Sequence, residues 1–363
     1  MTNKPGVLIV GAGPTGLTAA VELARRGFTP RIIDRDEKPT SLSKAVGISS
    51  HSLDVLEPSG VTERLLANGI RIYRAHFWFN GHQLGAFDFS GLPHRFNFLL
   101  SLPQSDTETI MVDILAGFGV AVEWRTLFVA LERSGGEIHA ALEGPAGQET
   151  AVCEFLFGAD GVQSAVRKAL AFNFEGYTHH RTWSIADAEI ADWPYEPGAA
   201  HAFLHPNGDV GFIIPIGKDR FRAVSNTDNA LARVPGNYRI VQVLRTDQFR
   251  IPIRQAPRYQ DGNVFLGGDA AHVHSPVGAR GMNLGIEDAA SFARRLAAND
   301  LAGYTAERHP IGHQWIRLSE TLLSAAQASN PLLTTFRNLA FGIVGHVHWL
   351  QRPMLERVAG LKE

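Results

Sequence analysis

An α/β fold on a buried parallel sheet is predicted by three short apolar runs, each ending in glycines and leading into a helical pattern. Residues 6–10 (Gly-Val-Leu-Ile-Val) run into Gly11, Phe155-Leu156-Phe157, after Glu154, into Gly158, and Val264-Phe265-Leu266 into Gly267-Gly268. Unbroken apolar runs of this length mark strands buried on both faces, as strands covered by helices are. The 363 residues allow about two domains, or one large domain carrying an insertion.

Composition narrows the function classes. Hydrophobic residues make up 45% of the chain, enough to bury a full core. The 34 Lys and Arg against 36 Asp and Glu leave a charge of -2, whereas a nucleic-acid partner calls for a basic excess or stripe. Cys153 is the single cysteine, which excludes an intrachain disulfide framework and a multi-Cys zinc site. Beside a buried strand it reads as an inert core thiol. The chain enters its first strand without a charged n-region or cleavage site, so the expectation is a mature cytoplasmic sequence. No run reaches the ~18 apolar residues of a transmembrane segment. The closest, Leu339–Leu350, is expected to be a helix packed on the body, with peripheral membrane contact as the alternative.

The first glycine cluster, Gly11-Ala12-Gly13-Pro14-Thr15-Gly16, stands between that first strand and an alanine-rich helix expected from Leu17 to about Arg26. Gly27 stops the helix, and Pro30–Asp34 reads as the next strand. This is the dinucleotide fingerprint in its proper setting. Gly11 permits the tight turn, Gly13 lets the backbone approach a pyrophosphate, and Gly16 allows close helix–strand packing. The helix start offers unpaired amides to phosphates. Asp34, 18 residues beyond Gly16, is placed to accept hydrogen bonds from an adenosine ribose. An acid there disfavours a 2′-phosphate, so this half should hold FAD or NAD.

The second and third clusters add Gly158-Ala159-Asp160-Gly161 with Ser164-Ala165-Val166-Arg167, and Gly268-Asp269-Ala270-Ala271-His272 continuing through Pro276 to Gly281-Met282-Asn283. With these in place the chain resembles the para-hydroxybenzoate hydroxylase family of group A FAD monooxygenases over essentially its whole length. Leu102-Pro103-Gln104 looks like the family segment whose glutamine reaches the flavin. The resemblance implies an FAD-dependent enzyme that uses NADPH or NADH and molecular oxygen to hydroxylate an aromatic or conjugated small molecule through a flavin C4a-hydroperoxide. It also implies that Asp34 and Arg35 hold the adenosine, Gln104 the ribityl region, and Asp269, beside Gly268, the ribitol or pyrophosphate. Asp160 falls in the motif that the family uses for both FAD and the pyridine nucleotide.

Departures from the family pattern are visible. Lys44 stands where arginine is frequent, which keeps charge and loses bidentate geometry. Ala279-Arg280 replaces a frequent Gly-Gln, which places a cation at the expected flavin edge and makes Arg280 a catalytic candidate. Residues 226–248 look short, so the walls of the site are expected to differ. The resemblance is to a short form without the C-terminal thioredoxin-like domain of many phenol-hydroxylating relatives.

The expected chemistry assigns further roles. Reduced flavin carries negative charge at N1 and the C2 carbonyl, and the Gly281-Met282-Asn283 amides open a helix whose positive end suits that charge. A plain helix start capped by Asn283 is the bland alternative. Pro276 would form a water-poor wall beside the reacting flavin carbon, again by resemblance. His272 and His274 form an H-x-H pair with no acidic or thiol neighbour in sequence, so no metal is expected.

From Trp183 to Ser225 the pattern alternates like an antiparallel sheet, with Asn207-Gly208 and Lys218-Asp219 at turns. On the strand Val210–Ile216, Phe212, Ile214 and Ile216 share one face, and Ile213 and Pro215 the other. Phe212 and Ile214 are substrate-wall candidates. Arg222 on the next strand would clamp an anion if it points inward. Without a basic cluster on Val210–Ile216, a neutral, largely apolar aromatic substrate is expected.

The whole predicts a Rossmann-like FAD-binding domain (1–75, 103–175 and 255–300), an inserted antiparallel-sheet substrate domain (76–102 and 176–254) and C-terminal helices (301–363). Two alternatives share the scaffold: a flavin halogenase or reductase, and a non-catalytic FAD-binding protein. The Trp-x-Trp-x-Ile-Pro signature of tryptophan-type halogenases is absent, since Ser184-Ile185-Ala186 follows Trp183. The order of oligomerisation is not legible.

Overall fold

A computed structural model describes residues 6–40 and 45–362. Its centre is a six-stranded sheet in the spatial order 260–261, 264–266, 155–158, 7–10, 31–33 and 122–123, parallel except at the first pair. Val7 lies opposite Phe155 and Leu8 opposite Arg31, so the glycine-ended strands stand side by side.

Helices flank this sheet and extend beyond it: α1 (Pro14–Ala24), α2 (Ser50–Leu56), α3 (Val61–Asn68), α4 (Gln104–Gly117), α5 (Ala165–Ala169), α6 (Gly281–Ala297), α7 (Tyr304–Ala326), α8 (Pro331–His346) and α9 (His348–Val358). The first begins at Pro14, three residues before the expected Leu17. Proline suits that position because its missing N–H would be unpaired there and its φ is already helical. Ala19, Ala20 and Leu23 are fully buried, and α1 packs against α6 and α4. Phe157 stacks on Phe292 of α6 at 4.6 Å, closing the core on that side.

The inserted layer is a seven-stranded sheet in the order 239–249, 183–191, 220–225, 210–217, 200–204, 74–79 and 82–88. It is antiparallel apart from one parallel pair, Ala200–Leu204 beside Arg74–Phe79. The strand Val210–Gly217 alternates as expected up to Pro215. Ile213 packs with Phe203 and Phe221 on one side while Phe212 packs with Trp183 on the other. A register shift between Pro215 and Gly217 ends the alternation before Ile216. The stretch 226–248 becomes a short 3-10 turn at Leu231–Arg233 and the long edge strand Arg239–Phe249. A three-stranded meander over residues 127–153, without a signal in the sequence reading, covers another flank.

The C-terminal segment differs from the single packed helix expected for Leu339–Leu350. The chain turns at Val347, whose backbone is extended, and α8 and α9 lie on either side. One face of α8 (Leu332, Phe336, Leu339, Ile343) is exposed, while Phe341 packs on Phe77 at 4.8 Å. Among the described residues no helix is long and apolar enough to cross a membrane.

Helix α8 seats on the sheet through two glycines. A Cβ on Gly345 would stand 2.6 Å from the Gly85 Cα, and one on Gly85 would stand 2.7 Å from the Gly345 Cα. Gly345→Ala should therefore destabilise the fold by roughly 1–3 kcal/mol through overpacking. Gly342→Ala, on the same helix, meets only the Leu84 carbonyl at 3.7 Å and should be neutral or stabilising. Denaturant midpoints of both variants check this; equal losses would show that the close approach is unimportant.

Candidate active site

The carboxyl ends of the parallel strands open onto a cavity of about 1280 Å³, which the seven-stranded sheet covers from the other side. That position is where open α/β sheets bind ligands. The volume exceeds the roughly 300–1,000 Å³ of most small-molecule pockets, so two ligands would fit end to end.

At one end the wall is the first glycine turn, with Gly11, Gly13, Pro14 and Thr15 lining it. Gly11 has φ +103°, and a Cβ there would lie 2.4 Å from the Ala159 carbonyl oxygen. A Cβ on Gly16 would lie 1.8 Å from the Gly11 carbonyl oxygen, so only glycine lets α1 start so close to the strand. Asp34 faces this turn. Its Oδ2 accepts from the Ala12 amide at 2.5 Å and its Oδ1 from the Asp36 amide at 2.8 Å.

Glu108, missed in the sequence reading, organises the same end. It is buried on α4, one helical turn after Gln104, and the i, i+4 spacing was a usable signal. Glu108 accepts from Gln104 Nε2 and from the Thr40 amide, each at 2.8 Å. Burial pushes its carboxyl up to about 7, against the pull of those two bonds and with Asp34 and Asp36 adding to the rise.

The second glycine turn carries Asp160, which accepts from the Ala165 amide at 2.6 Å and from the Ser164 hydroxyl. Burial raises its carboxyl despite these donors. Arg167 donates to the carbonyls of Ala270 and Val162 and lies 3.7 Å over Phe174, tying the second turn to the third.

The other end of the cavity is apolar. Phe212, Ile214 and Val224 line it from the sheet, and Phe77, Phe87 and Phe341 form an aromatic roof. Arg222 also points inward, yet it is buried and holds Asp187 through Nε at 2.6 Å and Nη2 at 2.7 Å.

A family model described as an FAD binding domain matches residues 4–234 and 232–319. The chain is 32% identical over 347 residues to an aromatic compound monooxygenase of Bacillus subtilis, covering 88% of this chain and 68% of that one. The chain belongs to the group A flavin monooxygenases. Solved structures agree in fold. The anhydrotetracycline hydroxylase of Streptomyces rimosus superposes with a TM-score of 0.83 at 28% identity, over 99% of this chain and 77% of its own. The p-nitrophenol 4-monooxygenase of Pseudomonas putida gives 0.88 at 20% identity, over 99% of both chains. This monooxygenase is thus an FAD enzyme that works with NAD(P)H. It spans about two thirds of the length of the Bacillus relative.

Several expected site residues sit on the cavity of the monooxygenase: Arg35, Gln104, Asp160, Asp269, Pro276, Gly281 and Met282 line it alongside the glycine turn and Asp34. Others do not. Arg280 was expected beside the flavin edge, and its guanidinium instead points into the interior. It is 1% exposed, lies 5.1 Å over the Trp315 ring, donates to Glu287 at 2.6 Å and reaches Ser49 Oγ at 3.2 Å. The reason is Glu287, seven residues on along α6, which gives the buried cation its counter-charge. The Asn283 side chain neither caps the helix nor faces the cavity. It accepts from the Ser49 amide and donates to the Gly47 and Ala279 carbonyls. Gly268 is turned away as well: its amide donates to Asp288, and Thr15 occupies the place where its side chain would be. Lys44 lies outside the described residues.

The H-x-H pair divides between two environments. His272 does have an acidic neighbour, Asp288 at 2.6 Å, brought from α6 by the fold. Burial alone would raise the Asp288 carboxyl; His272 and Arg308 outweigh it and hold it below the usual range. His274 instead bonds the Ser275 carbonyl. Among the described residues no three His, Cys, Asp or Glu side chains group to hold a metal ion. Cys153 is buried in the core, and burial pushes its thiol up to about 11.

The residues present fit FAD, since the glycine cradle, the first-turn amides of α1 and the Asp34 carboxylate meet at one end of the cavity. Removing Asp34 deletes a charge-assisted acceptor, a loss of roughly 1.5–3 kcal/mol. Asp34→Ala should weaken FAD binding about ten- to a hundredfold by fluorescence titration, and equal affinities would remove the ribose assignment.

Glu108 makes a pH prediction for the FAD-free chain. Unfolded, its carboxyl ionises near 4.5; folded, near 7, so folding binds a proton between those values. Its contribution is therefore favourable at low pH and is lost as pH rises through that window, by up to roughly 3 kcal/mol. Glu108→Gln should flatten the fall of Tm between pH 5 and 7. A variant curve parallel to wild type would refute the assignment.

Proposed function

We propose that this monooxygenase hydroxylates a neutral, largely apolar aromatic substrate with more than one ring. The observation that carries the reading is a continuous cavity with a glycine-rich dinucleotide cradle at one end and an aromatic-roofed apolar chamber at the other. Bound FAD would take reducing equivalents from NAD(P)H and, with oxygen, supply the atom transferred to the ring.

The protein's own residues would hold, orient and dry the site. Gly11, Gly13 and the first turn of α1 would carry the pyrophosphate, Asp34 and Arg35 the adenosine, Gln104 the ribityl chain, and Asp269 the ribitol or pyrophosphate. The Gly281 and Met282 amides would face the flavin's electron-rich edge from the positive end of α6. Pro276 would form an apolar wall beside the reacting carbon. Phe212 and Ile214 would pack on the substrate from the sheet, and Phe341 from the roof. The Streptomyces relative, named for a tetracyclic substrate, supports the multi-ring assignment. The cytoplasm, where reduced nicotinamide is supplied, suits the reaction.

Arg222 argues for a neutral ligand, because its bidentate partner Asp187 already supplies the negative charge that a substrate carboxylate would bring. The purified chain should be yellow, and its NAD(P)H oxidation should be stimulated more by neutral phenols and fused aromatics than by carboxylated analogues of similar size. A preference for carboxylates that disappears in Arg222→Ala would overturn the neutral-substrate assignment.

A further inference from the structure

Helix α8 roofs the apolar chamber with one face and turns a second apolar face to solvent. Inward, Phe341 packs on Phe77, and Gly345 seats against Gly85. Outward, Leu332, Phe336, Leu339 and Ile343 are 48–81% exposed, and Leu333 beside them is 60% exposed. Trp349, 75% exposed in the first turn of α9, is the next large apolar side chain in water. Exposed hydrophobic residues scattered singly are ordinary; a row of them on one helix face marks a contact surface.

The spacing of the row says what kind of partner fits. Leu332, Phe336, Leu339 and Ile343 recur at intervals of four, three and four residues, so they form a narrow stripe along α8. That is the seam by which one helix packs against another. A helix that lies on a lipid surface carries Lys and Arg on its polar face, where they meet the headgroups. The one such residue of α8 is Arg337, which is 5% exposed. It points to the inner side, where it lies over Phe79 and donates to the Ala326 carbonyl at 3.0 Å. The helix has no Asp or Glu either, so a second copy brings no like charge against it.

The stripe is also complementary to itself. In an antiparallel pair with a two-fold axis through the middle of the stripe, Phe336 meets Leu339 of the second copy and Leu332 meets its Ile343. Each contact then occurs twice, as a closed pair requires. The area suffices as well. The five α8 side chains leave roughly 600 Å² in water, and two such faces together reach about 1,200 Å², the lower bound of a stable interface, before Trp349 is counted.

We infer that this chain forms a two-fold homodimer in which α8 packs antiparallel on α8 of a second copy. The inference is independent of the cofactor reading. It bears on the chamber nonetheless, because the helix that carries Phe341 is then backed by protein. Lifting the roof from Phe77 and Phe87 would strain the dimer contact.

The test is the molar mass of the full chain in solution, from light scattering and sedimentation velocity at micromolar concentration. The wild type should have twice the 39.6 kDa of one chain. Leu339→Asp and, separately, Phe336→Asp should halve that mass, because each puts two carboxylates into a contact that offers them no partner. Both positions are exposed, so the monomers should keep the wild-type circular dichroism spectrum. Val129→Asp, at an exposed position of the 127–153 meander, should remain dimeric. A wild-type monomer overturns the inference; if that monomer sediments with vesicles of phosphatidylcholine and phosphatidylglycerol, the stripe is a lipid contact instead. A dimer that survives both α8 substitutions, or that Val129→Asp also splits, overturns it too. Hydrogen exchange reads the same contact without any substitution, which covers variants that do not fold. As the wild type is diluted through its dissociation, the amides of residues 331–346 should lose protection, and unchanged protection there overturns the assignment.

Discussion

The Asp288 carboxylate is the interaction around which the reactive half of the cavity is built. It is fully buried, and its two oxygens take the Gly268 amide at 3.0 Å, His272 at 2.6 Å and Arg308 Nε at 2.6 Å. Those partners come from the third glycine turn, the strand after it and α7, while Asp288 itself sits on α6. One side chain thus fixes four elements relative to each other. Arg308 passes the connection to Glu287, and Glu287 to Arg280, which reaches Ser49 at the start of α2. Removing one member of such a chain leaves an uncompensated charge in a dry interior, which costs roughly 3–5 kcal/mol. The arrangement therefore holds the start of α6 and the turn carrying Asp269 rigidly where the flavin would lie.

The cradle end depends on a different constraint, close backbone approach. Gly11 and Gly16 bring strand, turn and α1 nearer than any side chain allows, and Asp34 then reaches the Ala12 amide. Glu108 completes this end from α4 by gripping both Gln104 and the Thr40 backbone. The chamber end depends on a third contact of the same kind, Gly85 against Gly345, which lets α8 sit low enough for Phe341 to meet Phe77 and Phe87. Glycines set the dimensions at both ends, and buried charge sets the orientation between them.

Local features of the fold were legible in the sequence because they repeat along the chain. The glycine-ended strands, Asp34, and the hairpins at Asn207-Gly208 and Lys218-Asp219 are read from neighbours a few residues away, and the structure places them as expected. What escaped depends on partners remote in sequence. Arg280 looked like a cation for the cavity until the fold showed Glu287 and Trp315 behind it. Asn283 looked like a cofactor neighbour or else a cap, and its side-chain amide is taken up by Gly47 and Ser49, more than 230 residues earlier. His272 looked unpaired because Asp288 reaches it only through the packing of α6. Glu108 carried a local signal in its spacing from Gln104; its burial, which gives that spacing meaning, did not show.

The same distinction bears on selectivity. Arg222 and Asp187 lie directly opposite one another on adjacent strands, with Ile214 on the far side of Arg222 and Arg245 on the far side of Asp187, so the pair sits between an apolar neighbour and a second cation. A carboxylate entering this chamber would have to be desolvated and would meet a guanidinium whose Nε and Nη2 are already engaged with Asp187. Desolvating an anion costs several kcal/mol unless new charge-assisted bonds replace the water, and a pair already satisfied offers few. A neutral ring system pays no such penalty and gains from burial against Phe212, Ile214 and Phe341 in proportion to its area. Larger fused systems gain more, until the Gly85–Gly345 contact limits the height of the roof. On the proposed reading, specificity in this chamber would be a matter of shape and dryness, with the ion pair keeping charge out.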